Sequence, residues 1–503
     1  MGVVFGMALP VWAEAPLSAI DWLSQSVTTA ASAPAPAREQ PAVSGGALPA
    51  DVAVTVLDGP SPDGVGLLSP EVTGLPRDLW GLGKTAEIAA LIAAERVDTL
   101  PALQSLRLTL LLAETAPPAD SAKGGILLLA RIDKLLDMGA LDQADAMLDL
   151  SPARDTDLFR RAFDVALLTG AEDKGCVAMQ AAPDLAPTFP ARIFCLARSG
   201  DWSAAALTLR TAQALGYVTE EEDALLSRFL DPELYEGEGD LPPPSRVTPL
   251  AWRMFEAIGE QLPTAGLPLA FAHAELRDTA GWKAQIEAAE RLARAGAVSP
   301  NLLLGFYTER LPSASGGVWD RVDAFQRFDT ALTAGDPGAV AQALPTVWTR
   351  MAEAELEVPF ATLFAARLGR LPLTGDAARI AFEVALLSDG YETAAETRAP
   401  ATPREAFLIG LARGTLAGVS APDSLGRAIV PAFLRAEPTA DLAALLEQNR
   451  LGEAVLTAID RIGRGMQGDL RGVTEGLALL RHVGMEDTAR RIALQLMLLE
   501  RRG

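Results

Sequence analysis

The sequence predicts an all-α protein in which antiparallel helix pairs stack into an α-solenoid. Similar helix–turn–helix phrases turn at Gly139, Gly170 and Gly200, about 30 residues apart, and such a period is typical of repeats that bury their apolar faces against neighbouring repeats. Apolar residues make up 49% of the chain, much of it Ala and Leu, whereas aromatic residues make up only 6%. This composition favours helices over sheets. An irregular helical bundle is the alternative.

The first phrase shows why these segments are predicted to be helices. Leu128, Arg131, Ile132 and Leu135 follow the i, i+3, i+4, i+7 spacing of one helical face, with the stem of Arg131 along its edge. Gly139 comes just after this run. Because glycine tolerates the left-handed conformation that closes a helix, we predict that the helix ends there.

Small residues follow the turns at a nearly fixed distance. Ala144 comes five residues after Gly139, and Ala205 comes five residues after Gly200. Cys176 is the nearest equivalent in the middle phrase. A small side chain at this place lets two antiparallel helices approach closely.

The same pattern returns later in the chain. Gly335 opens another copy, and the segments Asn449 to Ala454 and Gly484 to Ala489 repeat the five-residue step. Asparagine is the second choice, after glycine, for the position that closes a helix. The repeats are therefore predicted to extend to the C-terminus.

The charge balance excludes one class of partner. The chain has 503 residues and a net charge of −22, with a pI near 4.6. A strongly acidic protein repels phosphate backbones, so we predict no binding of nucleic acid. Two histidines and two cysteines do not form a set with zinc-ligand spacing. The sequence predicts neither a metal nor another cofactor.

The N-terminus has features of an export signal. Val3 to Trp12 is an apolar stretch of the length of a signal-peptide core, and small residues at Ala13 and Ala15 suit cleavage. The basic region expected before the core is missing, which a start inside the true signal would explain. We predict a periplasmic protein without a transmembrane span in the mature chain. The alternative is a cytoplasmic protein with an apolar N-terminus.

An amphipathic island precedes a linker rich in Ala and Pro. Within Leu17 to Val27, the apolar residues Ile20, Trp22 and Leu23 lie at helical spacing and are candidates for docking on a partner. The island could equally pack on the solenoid or be inert. The residues that follow, Ala30 to Pro49, cannot bury a core.

The segment before the helical body reads as an extended lead-in. Val52, Val54 and Val56 alternate with small or polar residues, which is a strand pattern. Gly83 and Lys84 resemble the end of a phosphate-binding loop, but Asp78 stands where that loop needs its first glycine. An ordinary helix start is the simpler interpretation.

These boundaries define the predicted domain organisation. In order, the chain comprises a signal peptide (1–15), the linker with its island (16–50), the extended lead-in (51–83), N-terminal helical repeats (84–236), a Gly/Pro-rich break (237–248) and C-terminal helical repeats (249–503). The break could be a domain boundary or a long loop between repeats. After the break, Trp282 to Gly296 is predicted to be a strongly amphipathic helix.

The two cysteines are candidates for a disulfide. Cys176 and Cys195 fall on successive predicted helices, and antiparallel neighbours can bring two cysteines into bonding range. In an exported protein such a pair is usually bonded, and this loop length would give about 3 kcal/mol of stabilisation. In a cytoplasmic protein they would be two small buried thiols.

The sequence contains no recognisable catalytic constellation. No serine or cysteine forms a G-x-S-x-G elbow, and the acidic residues that converge in space cannot be located from the sequence. His273 lies within an apolar predicted helix, where it serves the core or caps a helix, or is functional. We therefore predict that the protein is not an enzyme.

Three segments resemble a known kind of protein. Leu185–Trp202, Pro263–Ala297 and Tyr307–Val322 are similar to an uncharacterised family of exported Ala/Leu-rich helical proteins of alphaproteobacteria. This resemblance implies a periplasmic location and no catalytic activity. The repeats also resemble tetratricopeptide units, although the consensus aromatic positions are mostly absent. The superhelix of soluble lytic transglycosylases is similar in architecture alone, because their Glu-Ser signature is missing.

The sequence as a whole favours a non-catalytic function. We predict a periplasmic helical-repeat scaffold that binds other cell-envelope proteins, whose identity the sequence does not give. The alternative is a protein that binds or processes peptidoglycan with carboxylates in the concave face of the solenoid.

Overall fold

The computed structural model describes residues 61–121, 124–151 and 155–499. Within these ranges the secondary structure is helical, and the β pairing consists of an isolated parallel bridge between Leu68 and Ala113. The predicted all-α class is confirmed. In this part of the chain, no helix combines the length and the apolar character needed to cross a membrane.

The helices of the first half run from the lead-in to the Gly/Pro-rich segment. They are α1 (Pro70–Thr73), α2 (Thr85–Ala94), α3 (Pro101–Leu112), α4 (Ile126–Asp137), α5 (Leu141–Asp149), α6 (Thr156–Thr169), α7 (Glu172–Ala181), α8 (Phe189–Arg198), α9 (Trp202–Leu215) and α10 (Glu220–Leu230).

The helices of the second half continue to the end of the described chain. They are α11 (Pro249–Ala257), α12 (Trp282–Arg294), α13 (Pro300–Thr308), α14 (Val318–Ala334), α15 (Pro337–Glu353), α16 (Glu357–Leu368), α17 (Gly375–Leu386), α18 (Tyr391–Thr397), α19 (Pro403–Ala412), α20 (Ser424–Leu434), α21 (Ala440–Glu447), α22 (Leu451–Gly465), α23 (Leu470–His482) and α24 (Glu486–Leu498). Short 3-10 helices include Pro62–Gly64 and Leu269–Leu276.

The turns between helices adopt the predicted backbone conformation. Gly139, Gly170 and Gly200 have φ of 71°, 80° and 85°, and Asn449 has φ of 54°. Gly139 also lacks room for a side chain, since a Cβ atom there would lie 2.9 Å from the side chain of Leu269. At these positions the chain turns, and the helices on either side of each turn contact each other.

The small residues after the turns are buried between helices. Ala144, Ala205, Ala454 and Ala489 have no exposed surface, and Cys176 is 4% exposed. Close approach of the helices at these positions is therefore as predicted.

The apolar side chains form two main cores. The larger core extends from Leu75 to Leu499 and includes helices from both halves of the sequence. A separate core lies within residues 163–258, where α6 to α11 pack together. We call residues 163–258 the arm. The Gly/Pro-rich segment 237–248 lies within it and joins α10 to α11, which contact each other.

The first and last described helices pack against each other. Helices α2 and α3 contact α22, and α3 also contacts α24. The backbone amide of Gly452 donates to the carbonyl oxygen of Leu79 at 2.8 Å, and that of Ala102 donates to Oε1 of Gln495 at 2.8 Å. The chain thus closes on itself, a contact that a stack of repeats touching only their neighbours would not make.

Part of the lead-in contributes to this contact between the two ends of the chain. Trp80 is buried and its Nε1 donates to Oγ1 of Thr115 at 3.2 Å. Lys84 precedes α2 as its N-cap, and its exposed amine lies near Glu87. The predicted strand at 51–58 and everything before it lie outside the described residues.

Candidate functional site

The two cysteines form a disulfide that joins adjacent helices of the arm. Cys176 lies on α7 and Cys195 on α8, with their Cα atoms 5.0 Å apart. Both residues are almost fully buried in the core of the arm. The bond predicted from the sequence therefore links two antiparallel neighbours and stiffens the arm.

The arm also exposes apolar side chains. Val177, Leu207, Leu215 and Leu234 are each more than half exposed, as is Trp202. Isolated exposed apolar residues are common on protein surfaces. The disulfide-linked arm carries several of these residues, which makes it a candidate contact surface. They do not define a pocket.

His273 has the structural role that the sequence allowed. Its Nε2 donates to the carbonyl oxygen of Gly139 at 2.6 Å, and the ring is 8% exposed. Burial lowers the pKa of His273 below its usual value, so the neutral form is favoured. The histidine thus holds the turn between α4 and α5 against the 3-10 helix Leu269–Leu276.

Arg131, predicted to lie along the edge of a helical face, is fully buried. Its guanidinium donates to the carbonyl oxygens of Leu111 at 2.7 Å, Val65 at 2.6 Å and Ala113 at 2.8 Å. Burial lowers the pKa of Arg131 to about 10. The group therefore joins the lead-in, the end of α3 and the middle of α4.

A second buried cluster lies where α4 meets α6. Arg161 donates to both carboxylate oxygens of Asp133, at 2.5 Å and 2.7 Å. Asp164 lies nearby, and burial raises the pKa of its carboxyl group to about 7, against the lowering effect of Arg160 and Arg161. Within the described residues, Oδ2 of Asp164 has no hydrogen-bond partner.

A third cluster joins α12, α13 and α14. The hydroxyl of Tyr307 donates to Oε1 of Glu290 at 2.6 Å, and Arg321 donates to both oxygens of the same carboxylate. Burial raises the pKa of Tyr307 well above its usual value. These groups are paired with one another inside the fold. The described residues also contain no group of three or more His, Cys, Asp or Glu side chains placed to hold a metal ion.

An apolar site lies where four parts of the chain meet. A cavity of about 220 Å³ opens between α3, α16, the α4–α5 turn and the α12–α13 turn. We call it the hub cavity. Its lining is mainly apolar and uncharged, and consists of Pro101, Gln104, Ser105, Leu108, Met138, Ala140, Ala293, Ala295, Gly296, Ala297, Val298, Pro300, Val358, Pro359 and Thr362.

Gln104 is a polar residue of the lining whose amide oxygen is buried. This side chain is 5% exposed, and its Nε2 donates to the carbonyl oxygen of Val97 at 3.2 Å. Because a carbonyl oxygen can only accept a hydrogen bond, the amide nitrogen of Gln104 is the group that binds Val97. The amide oxygen takes no part in this contact. No donor among the described residues reaches this oxygen. A buried acceptor without a donor costs about 1–3 kcal/mol. Because this oxygen has almost no accessible surface, a ligand in the cavity does not reach it.

A second, more polar cavity adjoins the hub cavity along α3. It has a volume of about 460 Å³ and shares Pro101, Ser105, Val358 and Thr362 with the hub cavity. Its charged groups already bind each other, since Arg491 donates to Asp389 at 2.8 Å and to Asp487 at 2.8 Å. The two cavities form one cleft along the exposed face of α3, opposite α16.

Sequence reasoning found the disulfide but not this cleft. The cleft is lined by segments that lie far apart in the sequence, and no motif marks Gln104. Ile20, Trp22 and Leu23, the candidate docking residues, lie outside the described residues.

Comparison with known proteins adds no relative. No family model matches the chain, and neither a curated protein nor a solved structure is significantly similar to it.

Proposed function

We propose that this chain is a non-catalytic binding protein that takes an apolar side chain of another protein into the hub cavity. The observation that carries this proposal is the concave, uncharged and mainly apolar lining of the hub cavity. Binding sites are typically concave, mostly apolar and equipped with a few polar groups that orient the ligand.

The architecture that we propose is a tetratricopeptide-like α-solenoid closed at its ends. Successive antiparallel helices, left-handed glycines at the turns and small residues behind them support this interpretation. Such repeats present extended surfaces to protein partners. In this chain, the contact of α3 with α24 brings the two ends of the stack to the same cleft.

We further propose that the protein acts in the periplasm and belongs to the exported helical family that its segments resemble. The buried disulfide between Cys176 and Cys195 supports an oxidising compartment, since such bonds are rare in the cytoplasm. The apolar stretch Val3 to Trp12 supports export. The partner is therefore a protein of the cell envelope.

Site-specific photocrosslinking in the cells of origin tests this function. Thr362 lies exposed on α16 at the cavity mouth, and Thr349 lies exposed on α15 outside the cleft. Both hydroxyls donate to the carbonyl four residues earlier, at 3.0 Å and 2.9 Å, so the two sites are matched. A photoreactive p-benzoylphenylalanine at position 362 is expected to capture a partner that the same residue at position 349 does not capture.

A variant that fills the cavity completes the test. Leu108→Trp places a large side chain among the lining residues and is expected to abolish capture at position 362. Equal capture from positions 362 and 349, or capture that persists in Leu108→Trp, would contradict the proposal.

Glycan binding in the polar cavity is a second candidate function. The carboxylates of Asp389 and Asp487 lie at its surface, where they could accept hydrogen bonds from sugar hydroxyls. Purified peptidoglycan fragments should then bind the protein, and Asp389→Asn should weaken that binding. No binding at millimolar fragment concentration would remove this candidate.

A further inference from the structure

We propose that a further cavity, where the arm joins the rest of the chain, binds a small organic ammonium ion with an apolar body. The cavity has a volume of about 230 Å³ and lies between α5, α6 and α7. We call it the junction cavity. It shares no lining residue with the hub cavity, so this proposal goes beyond the proposed function and does not depend on it.

The wall of the junction cavity is mainly apolar and includes two aromatic rings. Phe159 and Phe163, one turn apart on α6, are nearly parallel, with their ring centroids 6.4 Å apart. Leu148 and Leu158 extend this apolar wall. A dry cavity of about 150 Å³ holds benzene, so the junction cavity has room for one aromatic ring and a short chain.

The charged groups of the lining leave an excess of negative charge. Asp145, Asp149 and Asp155 line the junction cavity, and Lys174 is the cation that opposes them. Lys174 donates from Nζ to Asp149 at 2.9 Å, and Asp155 caps the N-terminus of α6. Because three carboxylates face one ammonium group, the site attracts a cation and repels an anion.

Asp145 is the carboxylate that a ligand can pair with. Within the described part of the chain, its side chain forms neither a hydrogen bond nor an ion pair. The side chain is half-buried, so it keeps accessible surface. Loss of hydration raises the pKa of Asp145, although the charge of Lys174 acts to lower it. An ammonium ion beside this carboxylate would supply both the opposite charge and the missing donors.

The hydroxyl groups of the lining also favour a donor as ligand. Ser151 donates its hydrogen to the carbonyl oxygen of Met147 at 2.7 Å, and Thr169 donates to that of Val165 at 2.9 Å. Their oxygens therefore remain as acceptors, since each hydroxyl has a single hydrogen to donate.

Lys174 already shows that this site stabilises a cation. Its hydrogen bond to Asp149, and then the charge of Asp145, raise the pKa of Lys174 above its usual value. The Lys174 side chain is 66% exposed. The volume of about 230 Å³ remains with this side chain in place, so Lys174 does not occupy the apolar part of the cavity.

A ligand-observed NMR titration of the purified full-length chain at neutral pH tests the proposal. The probes are 2-phenylethylamine, 2-phenylethanol and 3-phenylpropanoate, which share an apolar body and differ in the polar group. The amine is expected to bind about tenfold more tightly than the alcohol, because a charge-assisted hydrogen bond is stronger than a neutral one. The carboxylate should bind most weakly. Equal binding of amine and alcohol, tighter binding of the carboxylate, or no binding of the amine at millimolar concentration would overturn the proposal.

Asp145→Asn tests which carboxylate selects the cation. This change keeps the shape of the side chain, and it is expected to weaken binding of the amine about tenfold while leaving that of the alcohol nearly unchanged. Asp142→Asn is the matched control, because Asp142 is exposed on the same helix and does not line the cavity. Equal losses in both variants would show only an effect of overall charge and would remove the role of Asp145.

Filling the cavity tests where the amine binds. Ala178→Trp on α7 and Ala162→Trp on α6 enlarge half-buried lining residues from two different helices, so local misfolding of one variant does not decide the result. Both are expected to abolish binding of the amine. Gln180→Trp changes an exposed residue of α7 outside the lining and should leave binding intact. Binding that survives in both filled variants would place the ligand elsewhere.

A lysine side chain of another protein is the other source of an ammonium group on an apolar stem. Nα-acetyl-lysine methylamide represents it and is expected to bind more weakly than 2-phenylethylamine, because it has no ring to pack on the aromatic wall. Tighter binding of the lysine derivative would assign the cavity to a partner protein and overturn the proposal. The proposed function is judged separately, by partner capture from position 362.

Discussion

Asp164 is the buried side chain whose protonation should change stability most visibly. Its carboxyl group is 9% exposed on α6, close to Arg160 and the Asp133–Arg161 pair. Burial raises its pKa to about 7, whereas the same group in the unfolded chain titrates near 3.8. Between these values the folded state holds a proton that the unfolded state has released.

The sign of the pH dependence follows from this difference. Because the folded state binds the extra proton, the contribution of Asp164 to the free energy of unfolding is full below pH 4 and is lost as pH rises to 7. The loss is on the order of 4 kcal/mol, since each pKa unit corresponds to about 1.4 kcal/mol. Asp164→Asn should remove this slope and raise stability at pH 7.

The measurement is denaturant unfolding of the wild type and of Asp164→Asn from pH 4 to pH 8. The difference between the two proteins isolates Asp164 from other titrating groups, including His273, whose lowered pKa acts in the opposite direction. Asp157→Asn changes an exposed carboxylate on the same helix and serves as the control. A difference that does not vary with pH would show that Asp164 does not titrate in this window.

At the residue scale, the sequence predicts where side chains are buried better than what they bind. The spacing of Leu128, Ile132 and Leu135 places them correctly in a core. The same spacing cannot show that Arg131 is buried with them, because its partners are carbonyl groups of distant segments. Gln104 is also not predicted, because no motif in the sequence marks it.

The disulfide acts at the scale of the helix pair α7 and α8. Cys176→Ser with Cys195→Ser should lower the free energy of unfolding of the arm by about 3 kcal/mol, since the cross-link constrains the unfolded chain. Hydrogen exchange measured by mass spectrometry should show lost protection in α7 and α8, while α22 and α23 keep theirs. Loss of protection throughout the molecule would show instead that the arm and the larger core unfold together.

The pair α22 and α23 depends on glycine for its close packing. A Cβ atom on Gly476 would lie 2.5 Å from Cγ1 of Ile462 and 2.7 Å from the carbonyl oxygen of Ala458. Gly476→Ala should therefore destabilise the protein by about 1–3 kcal/mol, because the helices must separate. Thermal unfolding measures the change.

Gly463→Ala is the matched control in the same helix pair. A Cβ atom there meets no atom within 4 Å. Alanine is the better helix former, so this substitution should be neutral or stabilising by up to about 1 kcal/mol. Equal destabilisation by both substitutions would show that the effect at Gly476 does not come from its close contact with α22.

At the scale of elements, turn chemistry makes the sequence informative. Gly139, Gly170 and Gly200 mark helix ends because few other residues adopt positive φ without strain. The helix predicted from Trp282 is also present, ending at Arg294. Around His273 the predicted helix is a 3-10 helix, whose tighter hydrogen bonding the apolar pattern does not distinguish.

The export of the whole molecule can be tested by the mass of the protein purified from its native cells. If the signal peptide is removed, the intact mass should lack the residues through Ala13 or Ala15. Reduction should then add the mass of two hydrogen atoms, from the Cys176–Cys195 bond. A chain that retains its first residues and has free thiols would place the protein in the cytoplasm.

Contacts between distant segments limit what the sequence predicts about the whole molecule. Periodicity describes how each helix meets its neighbours, so it indicates antiparallel pairs but not the contact of α3 with α24. The hub cavity likewise depends on contacts between distant segments, because its walls come from α3, α16 and two turns. The cleft, and with it the candidate site, therefore becomes visible only in the folded chain.

The contact between the two ends of the chain leads to a final prediction. Trp80 packs so tightly on Gly452 that a Cβ atom there would lie 2.5 Å from the ring. Gly452→Val should separate the lead-in from α22, so hydrogen exchange should increase in α2 and α3 as well as in α22 and α24. Gly463→Ala, on the same helix, should leave all four protected. Increased exchange confined to α22 would mean that the ends of the chain are stable independently, and that the hub cavity does not need the closure to form.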